Sequence, residues 1–246
     1  MRTALIRRGG WIDTNHNHQW ISTYMNILIL GCSFGVPNYY GPPGPPAEHH
    51  VQFLLTNAGH TVHNCAENGG SNLNSLNRAK TYLSRGTISH PAYRCSEQIA
   101  GCTVDIDWFI WFHTEIFRDP ESDARKIYSE YAKFFAAHDS KIAVIGGAGD
   151  TCTFLTEYIT PDFYIPSWRQ YLLGDDLPNS NTLWTKNAII NSDQSKEEKI
   201  DQINSDLLIR KRLQESEYFP DGCHPGTYPH SDLFNQLQKE FAAQAK

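Results

Sequence analysis

The chain has 246 residues, of which 40% are hydrophobic and 20% charged, proportions that are ordinary for a globular protein. At this length one α/β domain is favoured over two. The net charge of −6, with basic residues scattered except at 210–212, argues against a nucleic-acid-binding face, because phosphate neutralisation needs clustered lysine and arginine.

The first 24 residues differ from the rest of the chain. They carry Arg2, Arg7 and Arg8 but no continuous apolar core, which makes them a poor secretory signal. No apolar run reaches the roughly 18 residues that a membrane span needs. We therefore predict an N-terminal appendage over residues 1–24, a single domain over residues 25–246, and a cytoplasmic protein without a membrane span.

Short apolar segments bounded by glycine or polar residues are predicted to be buried strands. The first, residues 26–30, precedes a stiff loop of proline and glycine over residues 41–46. Three further strands are predicted over residues 61–66, 104–112 and 141–145.

Helices are predicted between these strands and after the last of them. Gly59 ends the first helix, and Ser71 or Asn72 begins the second. The predicted helices span residues 47–58, 72–83, 121–137, 195–215 and 231–243. Apolar strands joined by helical crossovers predict a parallel sheet covered by helices on both faces.

Four residues follow directly after predicted strands or their first turns: Ser33, Gly69, Thr114 and Gly146. Right-handed crossovers place the C-terminal ends of parallel strands at one edge of the sheet, which is where such folds bind ligands. The topology alone therefore predicts that these residues gather at that edge.

Two segments far apart in the chain contain the residue types of a nucleophile and its base. Ser33 lies in the Gly-Cys-Ser-Phe-Gly segment 31–35, and Asp221 and His224 lie in the Asp-Gly-Cys-His-Pro segment 221–225. A serine hydroxyl becomes a strong nucleophile when a neighbouring base takes its proton. His224 is the candidate base, and Asp221 can orient its imidazole and stabilise the charged form.

Three sequence blocks, in this order, resemble the SGNH (GDSL-type) hydrolases and more narrowly their phage and bacterial branch. The blocks are Gly-Cys-Ser-Phe at 31–34, Asn-Gly-Gly-Ser-Asn at 68–72, and the Asp and His-Pro of 221–225. The resemblance implies a three-layer α/β/α, flavodoxin-like domain with a five-stranded parallel sheet. It also implies hydrolysis of a small-molecule or glycan ester, often an O-acetyl or short-acyl one, with no cofactor and no metal.

By the same resemblance, Ser33 is the nucleophile, His224 the base and Asp221 its partner. The backbone N–H groups of Ser33 and Gly69 are the implied oxyanion donors.

The third oxyanion donor is the point at which the chain departs from the family. The family supplies an asparagine after the third strand, and this chain has none there, which leaves the Thr114 hydroxyl or the His113 ring for that role. His113 can equally be a structural histidine. Asn72 and Arg118 are predicted to contact the substrate, although Arg118 can also pair with Glu115.

A second departure favours a different class of function. Cys32 stands where the family usually carries aspartate. Together with the missing asparagine, it supports the alternative of a non-catalytic SGNH-fold binding or structural protein, phage-associated and located in the virion.

Two further readings concern residues outside these blocks. The glycine-rich segment 146–150 follows a strand and can cradle a phosphate, but it lacks the GxGxxG spacing of a nucleotide site. Trp168 and Trp184 lie in a region of mixed character, where they either belong to the core or line a sugar site.

Overall fold

A computed structural model describes the protein in several stretches along the chain. Residues 1–23 and the proline and glycine loop lie outside the described residues, so the division into an appendage and one domain stays a prediction. Of the predicted charged helix, residues 196–201 are helical. The described residues are 24–36, 47–85, 105–114, 119, 123–146, 154–173, 195–201, 204, 211, 218–219 and 224–244.

Five parallel strands form one sheet in the order β2-β1-β3-β4-β5, which is the flavodoxin-like order. The central strands β1 and β3 are apolar along nearly their whole length and buried on both faces, as parallel strands under helical layers require. The strands are β1 (Asn26–Gly31), β2 (Thr61–Asn64), β3 (Trp108–His113), β4 (Lys141–Gly146) and β5 (Phe163–Ile165).

Five helices accompany the sheet: α1 (Val51–Asn57), α2 (Asn72–Arg85), α3 (Ala124–Ala136), α4 (Trp168–Leu173) and α5 (Thr227–Gln244). Side chains from α1, α4 and α5 join one apolar core, and side chains from α2 and α3 join the other. The sheet lies between these two cores, so the predicted three-layer α/β/α sandwich with a five-stranded parallel sheet is confirmed.

Side chains alternate along β1, so this strand contributes to the cores on both faces of the sheet. Ile27 and Ile29 belong to the core beneath α1 and α5, whereas Leu28 and Leu30 belong to the core beneath α2 and α3. Successive strand residues point to opposite faces, so an uninterrupted apolar run is needed to fill both cores.

Three of the observed elements begin at residues that differ from the predicted ones for a clear physical reason. β3 begins at Trp108, four residues later than predicted, after the exposed Asp105 and Asp107. A 3₁₀ turn, Ala47–His49, precedes α1, and His50 in extended conformation caps the helix. α5 begins four residues earlier than predicted because Pro229 falls in its first turn, where its missing N–H is not needed.

Within the described stretches, no helix combines the length and the apolar character that crossing a bilayer requires.

Candidate active site

Ser33 lies just beyond the C-terminal end of β1, at the start of a 3₁₀ turn, Ser33–Gly35. Before the turn, Gly31 at the end of β1 adopts φ +126°, and a Cβ there would lie 2.1 Å from the carbonyl oxygen of Phe112. Glycine is therefore required for the chain to pass under the end of β3. The passage leaves Ser33 buried, with 5% of its surface exposed.

His224 lies in the loop that leads into α5, three residues before the helix begins. The N–H of Gly226 donates to the carbonyl oxygen of Tyr218 at 2.7 Å, which closes this loop. The imidazole is 7% exposed, and its ring meets the ring of Phe34 edge-on, with 5.5 Å between centroids.

The structure brings Ser33 and His224 together. The Ser33 Oγ lies 3.1 Å from the His224 Nε2, across 191 residues of sequence. An unprotonated Nε2 at this distance accepts the hydrogen of the serine hydroxyl, which is the geometry of a nucleophile and its base. Asp221 and Arg118 lie outside the described residues, so their roles stay predictions.

Gly69 lies in the turn Glu67–Gly70, which the N–H of Gly70 closes by donating to the carbonyl oxygen of Glu67 at 3.0 Å. The N–H of Glu67 donates to the carbonyl oxygen of Gly31 at 3.0 Å, so the turn is fixed to the end of β1. Gly69 has φ +66°, and a Cβ at this position would meet no atom within 4 Å. The turn therefore projects into open space close to the nucleophile.

The backbone N–H groups of Ser33 and Gly69 make no hydrogen bond to other described residues. Donors that are unused in the resting protein are what an oxyanion site requires.

Asn72 and Thr114 form a buried bridge between α2 and the end of β3. The Asn72 amide donates to the Thr114 carbonyl oxygen at 2.9 Å and accepts from the Thr114 N–H at 3.1 Å. Because both N–H donors of the amide are engaged, by Thr114 and by Asp119, the observed role of Asn72 is to hold this edge together. The predicted substrate contact from Asn72 and the predicted oxyanion bond from the Thr114 hydroxyl stay predictions.

The side chain of His113 makes its contacts with Tyr128 and Trp111. Its Nε2 lies 3.1 Å from the hydroxyl of Tyr128 on α3, and its ring packs against Trp111 in the core beneath α2 and α3. Burial lowers the pKa of His113 to about 3, so the ring is neutral near neutral pH. These contacts favour the structural role over the oxyanion role that the sequence also allowed.

Trp168 is fully buried, and its ring lies between those of Phe34 and Phe112. Of the two alternatives for Trp168, the core one is therefore confirmed, because a buried indole offers no face to a sugar. Trp184, like the segment 147–150, lies outside the described residues.

Three residues near the site were not singled out in the sequence. Asp119, 1% exposed, accepts from the N–H groups of Asn72 and Leu73 and so caps α2. The rings of His50 and His230 are in contact, with 4.2 Å between their centroids, and His50 also contacts Phe34. No local pattern marks any of them, because their partners come from distant parts of the chain.

His50 stabilises the turn Ser33–Gly35 by a hydrogen bond to Phe34. Its Nδ1 accepts from the N–H of Gln52, which leaves Nε2 to donate to the carbonyl oxygen of Phe34 at 3.3 Å. Burial lowers the pKa of His50 to about 4, and burial with the neighbouring His50 lowers the pKa of His230 well below its usual value.

Comparison with known proteins leaves the family open. No protein-family model and no curated protein matches the chain. Among the solved structures that are similar to this chain, one crystal structure has 13% sequence identity and a TM-score of 0.40, over 89% of this chain and 97% of the other. No function is carried over from a likeness this distant.

Proposed function

We propose that the protein is a serine ester hydrolase that removes an O-acetyl or short acyl group through an acyl-enzyme. The observation that carries the proposal is the 3.1 Å contact between the Ser33 Oγ and the His224 Nε2. Both side chains are more than nine-tenths buried, so their hydrogen bond is shielded from water. The three SGNH-like blocks support the same reading.

In the first step, His224 Nε2 takes the Ser33 proton while the Oγ forms a bond to the acyl carbon. The N–H groups of Ser33 and Gly69 donate to the oxyanion that develops. One such donor stabilises the transition state by roughly 3–4 kcal/mol. The imidazolium then gives its proton to the departing alcohol, which leaves an acyl group on Ser33.

In the second step, His224 takes a proton from water, and the resulting hydroxide attacks the acyl carbon. The carboxylic acid departs and Ser33 regains its proton. By the family resemblance, Asp221 accepts from the other ring nitrogen of His224 and holds the tautomer that this cycle needs. The scheme uses neither a metal nor a cofactor.

The test is labelling by a fluorophosphonate probe, which reacts with activated serines. We expect labelling of the native protein, none of Ser33→Ala, and at least about 10³-fold slower labelling of His224→Ala, because the base is lost. Ser167→Ala is the matched control, since Ser167 also follows a strand end and is 5% exposed. It should label like the native protein.

A folded native protein that neither labels nor hydrolyses p-nitrophenyl acetate would overturn the proposal. That outcome would favour the non-catalytic binding or structural protein, to which the missing asparagine and Cys32 point.

A further inference from the structure

Side chains of α2 replace one backbone hydrogen bond of the sheet, just before the chain reaches Ser33. In a parallel ladder, a strand residue bonds the two residues that flank its partner on the next strand. The register of β1 and β2 places Ala66 opposite Gly31. The Gly31 carbonyl oxygen accepts from the N–H of Glu67 at 3.0 Å, as this register requires. The same register assigns the carbonyl oxygen of Cys65 as the acceptor for the Gly31 N–H.

Two residues of α2 take the place of that backbone bond. The Gly31 N–H donates to the Ser75 Oγ at 2.5 Å. The Cys65 carbonyl oxygen accepts from the Arg78 Nε at 3.0 Å. Ser75 and Arg78 are three residues apart and therefore lie on the same side of the helix. The ends of the two strands are thus bonded to α2 at the point where the ladder would otherwise continue.

The hydroxyl of Ser75 is held in one orientation. Ser75 is fully buried, and its oxygen accepts from Gly31 while its hydrogen goes to the hydroxyl of Tyr131 on α3. Tyr131, which is also fully buried, donates its own hydrogen to the carbonyl oxygen of Asn72 at 2.8 Å. The Gly31 N–H therefore has an acceptor whose position is fixed by two helices.

The other end of the turn Ser33–Gly35 is anchored by β2. The carbonyl oxygen of Gly35 accepts from the Asn64 Nδ2 at 2.7 Å. Ser33 therefore lies between two anchored residues, Gly31 and Gly35. A rotation of the Gly31 peptide has to be absorbed at Cys32 and Ser33, and it would displace the nucleophile.

We propose that Ser75 is a positioning residue for the nucleophile, an inference that rests on the proposed function. By accepting from the Gly31 N–H, Ser75 sets the direction in which the chain leaves β1. This direction determines where the Ser33 Oγ lies relative to the His224 Nε2. Without the Ser75 oxygen, the Gly31 N–H would turn to the Cys65 carbonyl oxygen, extend the ladder by one bond and move Ser33 out of line with its base.

The test measures how fast the fluorophosphonate probe labels Ser75→Ala. The rate should fall about 10- to 100-fold, because a misplacement of about 1 Å at a reacting group costs about that much. Labelling should still run to completion, since each folded molecule retains Ser33 and His224. A role in folding alone would lower the final labelled fraction and leave the rate of the folded molecules unchanged.

Ser140→Ala is the matched control. The Ser140 Oγ donates to the carbonyl oxygen of Ile106 at 2.6 Å, at the edge of the sheet where β3 and β4 begin. This variant also loses a short serine bond to the backbone, but far from the nucleophile, so it should label at the native rate. Ser75→Cys keeps a weaker acceptor and should label at a rate between those of the native protein and Ser75→Ala.

The outcomes separate this inference from the proposed function. Labelling of Ser75→Ala at the native rate, or of Ser75→Cys at that rate where the alanine variant does not fold, would overturn the role of Ser75 and leave the esterase intact. Equal slowing in Ser140→Ala would also overturn it, because the effect would then not depend on Gly31. A folded native protein that is not labelled at all would overturn the esterase and this role with it.

Discussion

Two glycines beside the candidate site have positive φ for different reasons. Gly31 has no room for a side chain, because the backbone of Phe112 occupies the place where a Cβ would be. Gly69 has open space around it, and only its left-handed backbone favours glycine. The first glycine is required by packing and the second by conformation alone.

This difference predicts unequal effects of the same substitution. Gly69→Ala should lower the free energy of unfolding by about 1–2 kcal/mol, which is the cost of a left-handed alanine. Gly31→Ala should be far worse and should prevent native folding, since a contact of 2.1 Å to a backbone oxygen cannot be relieved without moving β3. Urea unfolding of both variants measures this, and equal losses would contradict the packing argument.

Among the individual residues, the sequence identified those whose chemistry can be recognised from their neighbours in the chain. Ser33 and His224 were found because a serine after a strand and a histidine after an Asp-Gly turn form a pattern that can be read locally. Asp119, His50 and His230 were not found, because the contacts that connect them to the site join residues 16 or more positions apart, and only the folded chain brings these together.

Among the elements, α2 has two caps: the predicted Ser71, whose Oγ accepts from the N–H of Asn74 at 3.2 Å, and Asp119, which lies far from the helix in sequence. The Asp119 carboxylate accepts from the N–H groups of Asn72 and Leu73 and from the Asn72 amide, at 2.8–3.3 Å. The same Asn72 amide binds Thr114, so one buried carboxylate joins the start of α2 to the end of β3. The start of α2 is thereby fixed relative to the end of β3.

Asp119→Asn should therefore destabilise the protein by about 3 kcal/mol, because a buried charged acceptor is replaced by a group that carries N–H donors. Asp123→Asn is the matched control, since Asp123 caps α3 at an exposed position and asparagine is an equally good cap. Its free energy of unfolding should change by less than about 0.5 kcal/mol. Chemical denaturation measures both, and similar values for the two variants would refute the role of Asp119.

The sequence predicted most elements but missed β5 and the short helix α4. Apolar runs of four or more residues identified β1, β3 and β4, whereas β5 has only three residues and no periodicity to detect. Its position at the sheet edge comes from pairing with β4, which is a tertiary contact. The resemblance supplied the count of five strands that the pattern could not.

For the whole molecule, buried histidines set the response to acid. His50, His113 and His230 are each at most 3% exposed, and burial lowers the pKa of each, to about 4 for His50 and about 3 for His113. The unfolded chain takes up these protons below about pH 6.5, whereas the folded chain does not. Their contribution to stability is complete above pH 6.5 and is lost as the pH falls towards the folded values.

We expect the free energy of unfolding to fall by about 4 kcal/mol between pH 7.5 and 5.5. Each of the three histidines contributes about 1.4 kcal/mol for each pH unit below 6.5, and the interval contains one such unit. Urea unfolding at the two pH values measures the change, within a window where most carboxylates stay ionised. In His50→Gln the change should shrink by about a third. Equal stability of the native protein at both pH values would show that these imidazoles are not shielded from protons.

The hydrogen bond between Ser33 and His224 joins residues that leave the ribosome far apart in time. At ordinary speeds of translation, the 191 residues between them take about 10 to 40 s to synthesise. Throughout that interval the nascent chain carries the hydroxyl without the imidazole, and α5, whose Leu233, Leu237 and Phe241 complete one core, has not yet emerged. Reactivity at Ser33 is thus withheld until His224 has been synthesised, and a chain that terminates before His224 has the serine but no means to activate it.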